Sequence, residues 1–129
     1  MKAILITTKN EVTTGDFTFE QMQKQFKSGY AEAVRPTRLS RKFFMVVDDE
    51  GLLNDSELNE VGSYLYGTDK HGSPIMGDIF LCADVGGDFG PLSDKDTQEL
   101  KAMVEEIIKK NKENGLFVLM TGRVAPGRN

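Results

Sequence analysis

Ile79-Phe80-Leu81-Cys82-Ala83 leads through Asp84-Val85 into Gly86-Gly87-Asp88-Phe89-Gly90-Pro91, and Ser93-Asp94-Lys95-Asp96 follows. The apolar run, entered through Gly77-Asp78, reads as a central strand within Ile75 to Val85, and the glycines break it. After the break, Leu100, Met103, Val104, Ile107 and Ile108 recur at i, i+3, i+4, i+7 and i+8, the stripe of a helix packed on a core. Ser93 is placed to cap that helix, Asp94 and Asp96 suit its first turn, and Lys109, Lys110 and Lys112 suit its last. A strand, a glycine-rich turn and a helix in this order either bind an anion or simply turn a corner.

The chain around this stretch has 129 residues, the size of one domain. Hydrophobic residues make up 39% and charged residues 28%, an ordinary balance for a globular protein. The net charge of -4 is of the wrong sign for a general nucleic-acid binder. Cys82 is the single cysteine and lies inside the apolar run, so it closes no internal disulfide, and a reducing cytoplasm is the expected setting. The opening Ala3-Ile4-Leu5-Ile6 run is shorter than a signal-peptide core, and no segment is long enough to span a membrane.

Upstream, Lys2 to Thr8 reads as a strand, with Glu11 to Thr14 able to pair back across a Lys9-Asn10 turn. Phe19, Met22 and Phe26 share one helical face behind an Asp16 or Thr18 cap, with both phenylalanines expected on the sheet. Tyr30 to Val34 and Phe43 to Val47 are further strands, the first stopped by Arg35-Pro36. Asp48-Asp49-Glu50-Gly51 reads as a tight turn with solvated carboxylates, because adjacent acids point apart and lack the alternating spacing of a calcium loop. Leu58, Val61 and Leu65 mark a short helix capped by Asn54 or Asp55 and ended by Gly67. Leu116 to Met120 reads as a last apolar strand, and residues 122–129 as a flexible tail. The expected fold is therefore a single α+β domain: a four- or five-stranded, largely antiparallel sheet, two main helices on one face, and a short third helix.

Two places carry candidate chemistry. Gly86, Gly87, Asp88 and Gly90 offer backbone amides for an anion, but Asp84, Asp88, Asp94 and Asp96 crowd them and no Lys-Ser/Thr pair follows, so a structural turn is the expectation. Tyr64, Tyr66 and His71, with Arg38 and Arg41 in the basic loop from Arg35 to Lys42, have the makings of an aromatic and cationic pocket for a nucleotide-like ligand. The plainer reading places Leu65 and one tyrosine in the core and the rest in water. His71 is the only histidine and Cys82 the only cysteine, too few for a zinc site; no metal, no cofactor and no catalytic residue is expected. Phe43 to Val47 lacks a polar face, so a second copy of the chain is one way to cover it.

The sequence also resembles a family of small phage- and mobile-element-borne bacterial proteins known as a domain of unknown function. The resemblance rests on Met1-Lys2-Ala3, on Val46-Val47-Asp48-Asp49-Glu50-Gly51 followed by Leu58-Asn59 and Leu65-Tyr66-Gly67, and on Gly77-Asp78 with Gly87-Asp88-Phe89-Gly90-Pro91-Leu92-Ser93-Asp94. It extends to about Ile108. The chain departs from the family at Gly87, often an acid there, and in carrying Leu116 to Met120. The resemblance implies an accessory role in a mobile element and carries over no catalytic residue. The expected function is thus non-enzymatic binding of a host factor, the partner being a host protein or a small ligand; the alternatives are a small-ligand, nucleotide-like binding or sequestering protein and, further off, a hydrolase or transferase using acids near the glycine turn.

Overall fold

The computed structural model describes residues 1–68, 70 and 72–114. His71, the Leu116–Met120 segment and the 122–129 tail lie outside the described residues. Strands β1 (Lys2–Ile6), β2 (Val12–Asp16), β3 (Ala31–Val34), β4 (Phe43–Asp48), β5 (Ile79–Val85) and β6 (Asp88–Gly90) alternate with helices α1 (Phe19–Gln25), α2 (Glu60–Tyr66) and α3 (Asp94–Asn114). The sheet runs β2-β1-β5-β4-β3, every pairing antiparallel, with β6 folded back on β5. The fold is α+β, as the sequence predicts, with the expected β1–β2 hairpin turning at Asn10 in the left-handed region (φ 64°).

Helices α1 and α3, expected on one face of the sheet, do not share it, and α1 is only seven residues long against twenty-one for α3. Ile4, Ile6, Met45 and Leu81 point to the side where Leu100 and Val104 of α3 and Val61 and Leu65 of α2 pack. Ala3, Val46, Phe80 and Cys82 point to the opposite side, where they meet Met22 and Phe26 of α1. Alternation along a strand makes this division, and an apolar run such as Ile79-Phe80-Leu81-Cys82 requires cover on both sides. Of the two phenylalanines expected on the sheet, Phe26 is buried, whereas Phe19 is partly exposed and stacks on Phe89 at 5.3 Å between ring centroids.

Local chemistry explains the remaining boundaries. The Thr18 hydroxyl accepts from the Gln21 amide while the Gln21 side chain accepts from the Thr18 amide, so α1 starts at a reciprocal capping box. Helix α2 begins one turn later than expected, because its cap is the wholly buried Asn59 rather than Asn54 or Asp55. The Asn59 Oδ1 accepts from the Gly62 amide at 2.8 Å, and its Nδ2 donates to the carbonyls of Ile6 and Gly77. Gly62 fits inside this helix because a Cβ there would lie 3.1 Å from Ile75 Cγ2 and 3.2 Å from Ile79 Cδ1. At α3, Ser93 Oγ accepts from the Asp96 amide, and Lys2 and Lys42 pair with Asp94 and Asp96 in the first turn.

Candidate functional site

On the α2/α3 side, the sheet is left uncovered by helix at its β3 end. There the strands β3 and β4, the loop after β4 and the segment before β5 enclose a cleft of about 490 Å³. Glu32, Val34 and Val47 form its floor, Gly51, Leu52 and Leu53 one wall, and Ser73, Pro74, Ile75 and Met76 another, with Tyr66 also lining it.

The wall is built around Asp48. This residue is buried, contrary to its expected place in a solvated turn, because the next residues wrap back over it. Its carboxylate accepts from the Ser28 hydroxyl at 2.6 Å, the Glu50 amide at 2.9 Å, the Asn54 side-chain amide at 3.0 Å and the Ser28 amide at 3.4 Å. Burial on its own pushes the carboxyl pKa up, but these donors outweigh it and hold it below the usual carboxylate range. Gly51 is required by the same fold-back, since a Cβ there would lie 2.7 Å from the Met76 carbonyl oxygen.

Anchored in this way, the loop presents Leu52 and Leu53 to solvent at 58% and 82% exposure. Beside them stand the exposed carboxylates Glu32, Asp49 and Glu50, none of which forms an ion pair among the described residues. No Lys or Arg is among the described residues lining the cleft. The surface therefore combines apolar area with unneutralised negative charge, which suits an occupant that is both aliphatic and cationic. Asp48 contributes charge, but its oxygens are already engaged by donors.

The residues singled out from sequence are distributed differently. Arg38 and Tyr64 do come together: the guanidinium lies 4.5 Å over the Tyr64 ring and donates to the Tyr64 carbonyl at 2.7 Å, where a cation suits the end of α2. Tyr66 opens on the acidic cleft, and Arg41 lines a separate hollow of about 230 Å³ with Arg35, Pro36 and Leu39. Gly86 and Gly87, at φ 62° and 94°, form the two-residue turn between β5 and β6. The Gly87 amide donates to Asp84 Oδ1 at 2.7 Å, and β6 separates the turn from α3, so the glycines do not lead directly into the helix. Gly90 lies beneath Val85, where a Cβ would come within 2.2 Å of Cγ2. Cys82 is buried and its thiol is pushed up to about 11 by desolvation, which leaves it un-ionised at neutral pH. No group of acids, histidines or cysteines suited to a metal occurs among the described residues, and no helix among them is long and apolar enough to cross a membrane. Sequence reasoning missed the cleft because Leu52 and Leu53 stand between the acidic turn and the expected Asn54 or Asp55 cap, where two adjacent leucines set up no periodicity to read.

A family described as a domain of unknown function, DUF3846, matches residues 1–105. The chain belongs to the DUF3846 family. The match runs from β1 into α3 and so spans every element of the cleft. No curated protein and no solved structure matches this DUF3846 chain.

Proposed function

We propose that this DUF3846 protein is a non-catalytic, single-domain binding protein that engages a host protein through the cleft beside β3. Its setting is a phage or mobile element acting in the host cytoplasm; the resemblance of the sequence to such proteins supports this. The observation that carries the binding role is the exposure of Leu52 and Leu53 next to Glu32, Asp49 and Glu50. Covering two adjacent leucines held in water by a buried-carboxylate anchor gains at most about 1.5–3 kcal/mol each, and less for Leu52, which is already partly covered. Such area with a charged rim matches a protein contact better than a nucleotide site, whose phosphates the carboxylates repel. The mutual engagement of Arg38 and Tyr64 gives the nucleotide alternative less support.

The test is affinity capture from host extract with the wild type and a Leu52→Ser/Leu53→Ser variant, followed by titration of the purified partner. The proposal expects a partner that the wild type binds and the equally stable variant does not. A thermal shift with a nucleotide, abolished by Arg38→Ala and unaffected in the leucine variant, contradicts it.

A further inference from the structure

The cleft borders an open sheet edge. Strand β3 is last in the sheet order, and its register with β4 fixes which of its backbone groups are used. The Asp49 amide donates to the Tyr30 carbonyl, so Tyr30, Glu32 and Val34 are the residues whose main chain bonds to β4. By alternation, the N–H and C=O groups of Ala31 and Ala33 face away from the sheet, and neither has a hydrogen-bond partner among the described residues. The side chains of Glu32 and Val34 point from the same strand into the cleft.

Resting on the cleft reading above, we infer that the occupant is an extended, lysine- or arginine-bearing segment of a partner protein that adds a strand to β3. Its main chain pairs with Ala31 and Ala33. Its alternate side chains then fall beside Glu32 and Val34, a cation toward Glu32 and the other carboxylates, an aliphatic group toward Val34 and Leu53. Charge selects this occupant over a second copy of the chain. An antiparallel pairing of β3 with itself that uses both Ala31 and Ala33 places Glu32 directly opposite its own copy, and like charges directly opposite destabilise a sheet. Glu32, the short length of β3 and Pro36 are also the usual guards against indiscriminate edge pairing, so a partner has to bring the neutralising charge with it.

The probe is the capped peptide Lys-Thr-Leu-Thr-Lys-Thr, whose lysines and leucine share one face. Strand addition predicts binding with the Ala31 and Ala33 amides slowed in hydrogen exchange by about tenfold or more. Methylating the threonine nitrogens, which face β3 in this register, should abolish binding, while methylating the lysine and leucine nitrogens should not. Replacing the lysines by glutamates, or Glu32→Lys in the protein, should weaken binding by about tenfold or more. Failure of the parent peptide to bind overturns the inference, as does equal binding of the glutamate peptide. Binding that survives threonine methylation without protection of Ala31 and Ala33 overturns strand addition while leaving the cleft reading standing. A stable dimer of the free protein with those two amides already protected assigns the edge to a second copy and likewise overturns it. Loss of partner dependence on Leu52 and Leu53 strikes the cleft reading itself, independently of these results.

Discussion

The side-chain amide of Asn59 donates to the Gly77 carbonyl at 2.9 Å across the base of α2, while the same nitrogen reaches the Ile6 carbonyl of β1 at 3.1 Å. With Oδ1 on the Gly62 amide, one fully buried side chain joins the helix cap, a central strand and the segment before β5. Asn59→Ala strands these groups without solvent, so it should destabilise the protein by about 2–4 kcal/mol, a cap lost together with unsatisfied buried partners. Asn59→Asp should cost more, because a carboxylate cannot donate to either carbonyl. Urea unfolding of the three proteins checks both statements.

Acid stability should depend on Asp48. Its pKa is depressed in the folded state, so its contribution is present above the unfolded value of about 3.9 and is lost as pH falls through the folded one. The urea midpoint of the wild type should therefore fall as pH drops through that window, and the fall should be shallower in Asp48→Asn. At neutral pH the same variant should lose about 1.5–3 kcal/mol, since an amide cannot accept from every donor the carboxylate serves. Asp94→Asn is the control: Lys2 also lowers the Asp94 pKa, but that carboxylate is exposed, and its removal should leave the acid limb nearly unchanged.

Gly90 and Val85 should be energetically coupled. Gly90→Ala places a methyl group 2.2 Å from Val85 Cγ2 and should cost about 1–3 kcal/mol. Val85 is 58% exposed, so Val85→Ala alone should cost little, and it should recover part of the loss in the double variant. Additive effects in a double-mutant cycle would contradict the packing described at this turn.

What the sequence made legible follows from these environments. The strands at Phe43–Val47 and Ile79–Ala83 and the stripe Leu100-Met103-Val104-Ile107 were readable because apolar periodicity reports burial directly. The side of the sheet taken by α1 was not read correctly, although a signal was present: apolar residues at consecutive positions of β4 and β5 demand cover on both faces. Asp48 was misplaced, and Asn59 was passed over as the cap in favour of Asn54 or Asp55, because a buried, hydrogen-bonded polar residue carries no mark of burial in sequence. The cleft was invisible for a related reason. It depends on Gly51 approaching Met76 and on Asp48 gathering donors from Ser28 and Asn54, contacts that residue types at those spacings do not announce. Of the proposed pocket, only the Arg38–Tyr64 pair is joined among the described residues.

The leucine pair should be dispensable for the fold. Leu52 and Leu53 are exposed at 58% and 82%, so Leu52→Ser/Leu53→Ser should change unfolding free energy by no more than about 0.5 kcal/mol, the range of ordinary surface substitutions. A large loss in urea unfolding would mean that the pair supports the core.

The most direct measurement places a photo-reactive amino acid at position 53 in the cleft wall and, separately, at position 101 on the exposed side of α3, and irradiates host cells producing each protein. The account predicts a discrete cross-linked partner from position 53 and none from position 101. No adduct from position 53, or the same adducts from both positions, would contradict it.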